Sequence, residues 1–291
     1  LKKTIGEKIF DYVNILFMCI IIFLFIFPFW QLLMISFNDA TDAMRGGIYF
    51  WPRMWTLKNY QMTLKHPLIG NAYLITILRT VIGTICSLLA TGMFAYGLSK
   101  KHLVFRKVYL TLATITMFFS GGLIPTFLLI RGLGLTNNFW VYIIPSLISV
   151  WNMIIMKTFF QSLPASLEES AKIDGYNDLQ IFFKIVLPTS TPIIAAIALF
   201  NGVGHWNAWF DAYIYINDAN LLPLQTILMK IVAQNSAAQE LMQHEQAVQG
   251  AVTPEAMKIT TMMIAIGPIV LIYPFLQKYF MKGIMIGAIK E

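Results

Sequence analysis

Six stretches of this chain are each long and apolar enough to cross a bilayer as a helix, and that feature constrains its fold more than any other. A hydrocarbon core of about 30 Å needs about 20 apolar residues rising 1.5 Å each. The stretches fall near residues 12–36, 71–98, 108–130, 139–160, 190–216 and 259–281. Composition agrees: of 291 residues 57% are apolar and only 12% charged, and the mean hydropathy is +0.67. A soluble globular domain carries about 25% charged residues, so a soluble enzyme, a disordered tail and a nucleic-acid-binding domain are excluded. The net charge of +7 reads instead as loop charge beside a membrane. Cys19 and Cys86 both lie inside apolar runs, which argues against a disulfide framework or a metal site.

Lysine and arginine set the expected orientation. With the N-terminus inside, thirteen of the 21 basic residues fall on cytoplasmic segments, among them Lys100, Lys101, Arg106 and Lys107 in one short loop. Seven fall outside and Arg79 lies within a span. This bias predicts both termini on the cytoplasmic side. The run at 12–36 exceeds the apolar core of a signal peptide and lacks a small-residue cleavage site after it, so it is read as a span. Opening on Leu1, the sequence is expected to lack at least its initiator residue. The fold class is therefore an all-α integral membrane protein of six transmembrane helices. Residues 1–70 form a tail, the first span and an outer segment with Tyr49, Phe50, Trp51 and Trp55 as an interfacial belt. Residues 71–281 form a five-helix core with inner loop 161–189 and outer loop 217–258, and 282–291 form a cytoplasmic tail. Within the outer loop, 234–255 is expected to form an amphipathic helix. The short break at 131–138, with Gly and Asn, reads as a turn between neighbouring helices.

The longest inner loop is the most informative. Ser166 followed by Glu169 predicts a capping box that starts a short helix. Ala171 and Gly175 place small groups four residues apart, and Pro188 suits the start of the next membrane helix. By itself this is a solvated loop helix, or one able to dock in a groove of another protein. Its spacing says more. Glu169-Ser170-Ala171, three residues, Gly175, nine residues, then Ile185-Val186-Leu187-Pro188 resembles the EAA loop of ABC-importer permeases, Glu-Ala-Ala, x3, Gly, x9, Ile-x-Leu-Pro. Only Ser170 departs from it. The resemblance extends over the chain, including Trp206-Asn207-Ala208-Trp209-Phe210-Asp211 and Leu222-Pro223-Leu224-Gln225, and is to the MalG-like carbohydrate-uptake branch with its LplC/YtcP-type subgroup.

That resemblance implies a type I importer with the MetI-like permease fold in a bacterial cell membrane. It implies a second homologous permease, two cytoplasmic ABC ATPases, an extracellular solute-binding protein and a carbohydrate substrate. Glu168 and Glu169 would face basic groups of the ATPase, Ser170, Ala171, Asp174 and Gly175 would complete the coupling helix, and Ala171 and Gly175 would allow close approach. Gly283 and Gly287 would lie in a tail that reaches the same interface. The chain itself holds no Gly-x-x-x-x-Gly-Lys-Ser/Thr loop, so no cofactor is expected in it. ATP and Mg would be bound by the partner ATPase, and this chain would not be an enzyme.

A polar cluster inside a span is a candidate functional site. The fifth span carries Asn201, His205, Trp206, Asn207, Trp209, Asp211, Tyr213 and Tyr215, with Gly202 and Gly204 expected to permit a kink or an unwound turn. Aromatic faces beside amides and a carboxylate suit a sugar, which makes Asn201, Trp206, Asn207, Trp209, Asp211 and Tyr215 candidate substrate contacts. The alternative is that the aromatics belong to an interfacial belt and Asn207 bonds a neighbouring helix. Arg79 and Asp211 lie at similar depth and are expected to pair. Gly83, Ser87 and Thr91 read as a packing stripe. A secondary transporter would need more intramembrane carboxylates than Asp211 and an internal repeat. A membrane enzyme finds no support in four dispersed histidines.

Overall fold

The computed structural model describes residues 4–65, 67–231 and 253–288. In chain order its helices are α1 (Ile5–Ser36), α2 (Ala40–Ala43), α3 (Lys58–Lys65), α4 (Pro67–Ser99), α5 (Arg106–Phe118), α6 (Leu123–Gly132), α7 (Val150–Gln161), α8 (Ala165–Ile173) and α9 (Asp178–Ile181). A wide π-helical turn, Phe182–Val186, leads to α10 (Leu187–Thr189), α11 (Thr191–Asn207) and α12 (Phe210–Tyr215). Residues 224–231 form α13, and α14 is Pro254–Ala288. Two compact units result: residues 1–69 with 230–267, and residues 70–229 with 268–291. Most of the predicted amphipathic stretch 234–255 lies outside the described residues.

Among the described residues two unbroken helices, Ile5–Ser36 and Leu68–Ser99, are long and apolar enough to span a membrane. Three more predicted spans are bent. The third, read as one helix over 108–130, turns by 116° between α5 and α6, because Gly121-Gly122 interrupts it and Gly122 adopts φ +85°. The fourth opens as 3₁₀ turns, Phe139–Tyr142 and Ile144–Ser146, before α7, with a bend of 51°. The stretch Asp178–Thr189 meets α11 at 87° around buried Ser190. Pro192 sits in the first turn of α11, where a missing amide hydrogen costs nothing, whereas Pro188 follows the π turn in the last turn of the continuous stretch Asp178–Thr189 rather than opening a helix. The sixth predicted stretch lies within α14, which continues as a helix to Ala288. Gly283 and Gly287 are therefore helical.

In the unit formed by residues 1–69 and 230–267, α1 ends in a tight polar knot. Asn38 accepts from the Met54 amide at 2.7 Å and donates to Asp42 at 2.9 Å. Arg53 donates to Asp42 at 2.9 Å, and Asn59 donates to the carbonyls of Ser36 and Asn38. The Asn38 hydrogen bond, then Arg53, hold the Asp42 carboxyl below the ordinary range. A hydrogen bond from the Thr41 hydroxyl does the same for Asp39. Trp30 and Gln31 of α1 donate to the carbonyls of Phe50 and Ile48, drawing that loop alongside the helix.

The other unit is built on a core of Ala95, Tyr96, Leu98, Met153, Met156, Phe160, Ala171, Ile181, Phe182, Val186 and Ile197. It joins α4, α7, α8, the π turn and α11. Gly92 is part of this packing: a methyl there would come 3.2 Å from Met156 Cε and 3.3 Å from Phe182 Cζ.

The knot has a pH signature. Asp39 and Asp42 have folded-state pKa values below their unfolded ones, so their contribution is complete above about pH 3.9 and is lost as pH falls through the folded values. Amide exchange over 38–54 should be flat from about pH 5 to 8 once corrected for intrinsic rates, and protection should fall only below about pH 4. Loss of protection near neutral pH would contradict this assignment.

Candidate functional site

Two polar constructions stand out in the unit containing residues 70–229. The first lies at the break in the fifth predicted span. Helix α11 ends at Asn207, Ala208 is extended at ψ 130°, and α12 restarts at Phe210. The break falls after Gly202 and Gly204, which both stay helical; the expectation that these glycines mark the kink is corrected. Arg79 of α4 holds the break. Its guanidinium donates to Asp211 Oδ2 at 2.5 Å and Oδ1 at 3.3 Å, and to the Ala208 carbonyl at 3.1 Å. The Arg79 side chain is 1% exposed and that of Asp211 28%. Arg79 thus meets the carbonyl end of α11 and a carboxylate in the first turn of α12. Both are the favourable signs for helix dipoles. The ring of Tyr142 lies 4.3 Å beneath the guanidinium carbon, and its hydroxyl donates to the Leu221 carbonyl at 2.7 Å.

Neighbouring segments complete the clasp. The Asn137 amide donates to the Tyr215 carbonyl at 2.8 Å, and its side chain accepts from the amides of Asn217 and Asp218. Thr226 donates to the Trp209 carbonyl at 3.0 Å, and Thr76 accepts from the Leu224 amide at 2.9 Å. Along α4, Gly83 lies under the His205 ring, Ser87 accepts from Asn201 at 3.2 Å, and Thr91 donates to the Leu147 carbonyl. Gly83, Ser87 and Thr91 therefore sit at helix contacts.

The predicted sugar contacts do not all face one space. Asn201 also accepts from Asn152 at 2.9 Å, joining α4, α7 and α11. Trp206 is buried with its ring edge-on to Tyr73, and Asp211 is held by Arg79. Tyr215 stacks on Phe127 at 5.9 Å. Asn207 is exposed, and Trp209 is half-buried against Phe210 and Tyr213. Four of the six are thus engaged within the chain. Polar groups in a span recruit protein partners wherever adjacent helices offer them.

The second construction is α8. Its predicted capping box does not form: Pro164 is the N-cap, and Ser166 lies inside the helix with no capping bond. A reciprocal box forms instead at α9, between Asn177 and Gln180. Gly175 takes φ +83° after α8. Its amide donates to the Lys172 carbonyl and that of Tyr176 to Ala171, a Schellman closure that requires the left-handed conformation. A Cβ at Gly175 would meet open space. Backbone conformation rather than a close neighbour in this chain demands glycine there.

Ala171 faces inward, 3% exposed in the core, so it is not part of a docking surface. Glu168 pairs with Lys100 of the same chain, and Lys100 Nζ lies 3.9 Å from the Tyr96 ring centroid. Within this chain Glu168 thus has a basic partner of its own, while Glu169 is exposed. The exposed side of α8 carries Ser166, Glu169, Ser170 and Ile173 at helical spacing, with Asp174 and Gly175 exposed beyond them.

With this geometry in place, comparison with known proteins is decisive. The model for the binding-protein-dependent transport system inner membrane component family matches residues 90–286. The chain belongs to this family. Helix α8 and the break at Ala208 with Asp211 fall inside the matched region, and Arg79 precedes it. Two Bacillus subtilis (strain 168) relatives are each 39% identical. The polygalacturonan/rhamnogalacturonan transport system permease protein YtcP aligns over 98% of this chain and 99% of its own, and Protein LplC over 100% and 98%. A chain from the crystal structure of a bacterial ABC transporter involved in the import of the acidic polysaccharide alginate matches with a TM-score of 0.86. It is 29% identical and covers 96% of this chain and 99% of its own. The chain is accordingly an all-helical ABC-transporter permease, a membrane component of the transporter.

Lys100, Tyr142, Asn152 and Ser87 escaped the sequence reading as site residues. Lys100 and Glu168 are 68 positions apart and Asn152 and Asn201 49 apart, so no local spacing links them.

Asp211→Ala strands a buried cation and should cost about 3–5 kcal/mol. Arg79→Ala should also impair the permease, and the double variant should be no worse than Asp211→Ala alone, as read by thermal unfolding of the purified protein. Additive losses would show that the two charges act independently. Gly83→Ala places a methyl 2.6 Å from His205 Nε2 and should cost about 1–3 kcal/mol through displacement of the ring.

Proposed function

We propose that this chain is one of two homologous permease subunits of an ATP-driven importer for an oligosaccharide or other glycan. An extracellular solute-binding protein delivers the substrate, two cytoplasmic ATPases bind ATP and Mg, and α8 is the surface on which an ATPase acts. The termini are cytoplasmic in this reading, as the distribution of Lys and Arg favours. The observation that carries it is α8. The EAA-like pattern sits on a short helix, closed by Gly175, that packs Ala171 inward and presents Glu169, Ser170 and Ile173 outward. Ile173 is 87% exposed, an apolar side chain suited to burial by a partner.

The names of the relatives support the substrate class. One transports polygalacturonan or rhamnogalacturonan, and a structural neighbour belongs to an importer of the acidic polysaccharide alginate. Oligosaccharides containing uronic acids are therefore the first substrates to test. Of the six predicted contacts, Asn207 and Trp209 remain accessible at the break and are the residues proposed to meet the sugar.

The test is ATP hydrolysis by the complex reconstituted in lipid, with and without loaded binding protein. Loaded binding protein should raise wild-type hydrolysis. Glu169→Lys reverses an exposed charge on α8 and should lower that stimulation about tenfold while the permease still inserts. Undiminished stimulation in Glu169→Lys would remove α8 as the coupling surface.

A further inference from the structure

Two ion pairs are tied to one helix, one in its interior and one at its C-terminal end. Arg79, within α4, clasps the break between α11 and α12, and Lys100, immediately after the last residue of α4, pairs with Glu168 in the first turn of α8. Their α-carbons are separated by about 31 Å along a helix rising 1.5 Å per residue. Between them α4 contains no proline and no break. It is packed along this length through Gly83 against His205, Ser87 against Asn201, Gly92 against Met156 and Phe182, and fully buried Ala95.

Two routes lead from α8 to the clasped break. The covalent route passes Gly175 in its left-handed conformation, the π turn Phe182–Val186 and the 87° bend at Ser190. Each interruption lets a displacement dissipate in backbone torsion. The route through α4 has none of them. It begins at Lys100, whose side chain is 15% exposed and whose ammonium rests on Tyr96, itself packed against Phe160 and Phe182. A close-packed helix moves as a body rather than deforming along its length.

From this geometry we infer that Lys100 is a positioning residue for coupling. Through Glu168 it fastens α8 to the end of α4, and a displacement of α8 travels along α4 to the Arg79–Asp211 clasp and shifts the break beside Asn207 and Trp209. The inference rests on the importer reading, in which an ATPase moves α8.

The experiment uses the full complex in lipid with loaded binding protein, comparing wild type, Lys100→Glu, Glu168→Lys and the double reversal. A second readout is a fluorophore on Phe210→Cys at the break, in a Cys19→Ser, Cys86→Ser background. Each single reversal should lose about tenfold of the stimulated ATPase activity, together with the nucleotide-dependent change in the fluorophore. The double reversal should regain both. Singles that keep full stimulation, or a double as impaired as the singles, overturn the role of Lys100 and leave the importer reading intact. A wild-type complex without stimulation overturns the importer reading, and this inference with it. Should a reversal block co-purification of the ATPases, Lys100→Gln removes the charge alone. It must then show the same loss of stimulation, and normal stimulation in it overturns the inference.

Discussion

A guanidinium that is 1% exposed inside a bundle of membrane helices has to find its counter-charge and its hydrogen-bond acceptors in protein. Arg79 finds them for its two terminal nitrogens by exploiting an interruption: α11 stops, its terminal carbonyls lose their intrahelical donors, and α12 begins with a carboxylate. An unbroken helix would have left neither the Ala208 carbonyl free nor Asp211 in a first turn. The cation and the break are therefore mutually dependent. Tyr142 beneath the guanidinium, Leu221 beyond it and Asn137 at the end of α12 are all arranged around that dependence.

Helix α8 divides the family-like motif into two physical roles. Ala171 and Gly175 serve the permease itself, one as a small residue in its core and the other as a left-handed helix stop. Glu169, Ser170 and Ile173 are turned outward. Glu168 belongs to the internal group because Lys100 neutralises it. A motif that reads in sequence as one recognition element is, in the folded chain, half scaffold and half surface.

Much of the architecture was legible in advance because its causes are local. Apolar runs of membrane length and the short helix over 165–173 each follow from a short stretch of chain, whereas Gly175 read as a small contact residue and proves to be a left-handed helix stop. The similar depth of Arg79 and Asp211 also pointed to their pairing. The bend at Gly121-Gly122 was missed, since apolar sequence runs on both sides of it, and the break at Ala208 was placed at Gly202 and Gly204. The capping box was misplaced because Pro164 moves the start of α8 to Ala165, so that Ser166 is already within the helix.

The sequence by itself determined that this protein is a helical membrane protein, roughly where its spans lie, and that one loop resembles the EAA loop of importer permeases. Hydropathy, backbone conformational limits and motif spacing act over a few turns and need no knowledge of neighbours. Only the tertiary structure decided which polar groups are spent on one another: Arg79 on Asp211 and Ala208, Asn201 on Asn152 and Ser87, Glu168 on Lys100. A charge or amide in a low-dielectric interior must be satisfied by whatever the adjacent helix presents, and adjacency between residues dozens of positions apart exists only once the helices have packed.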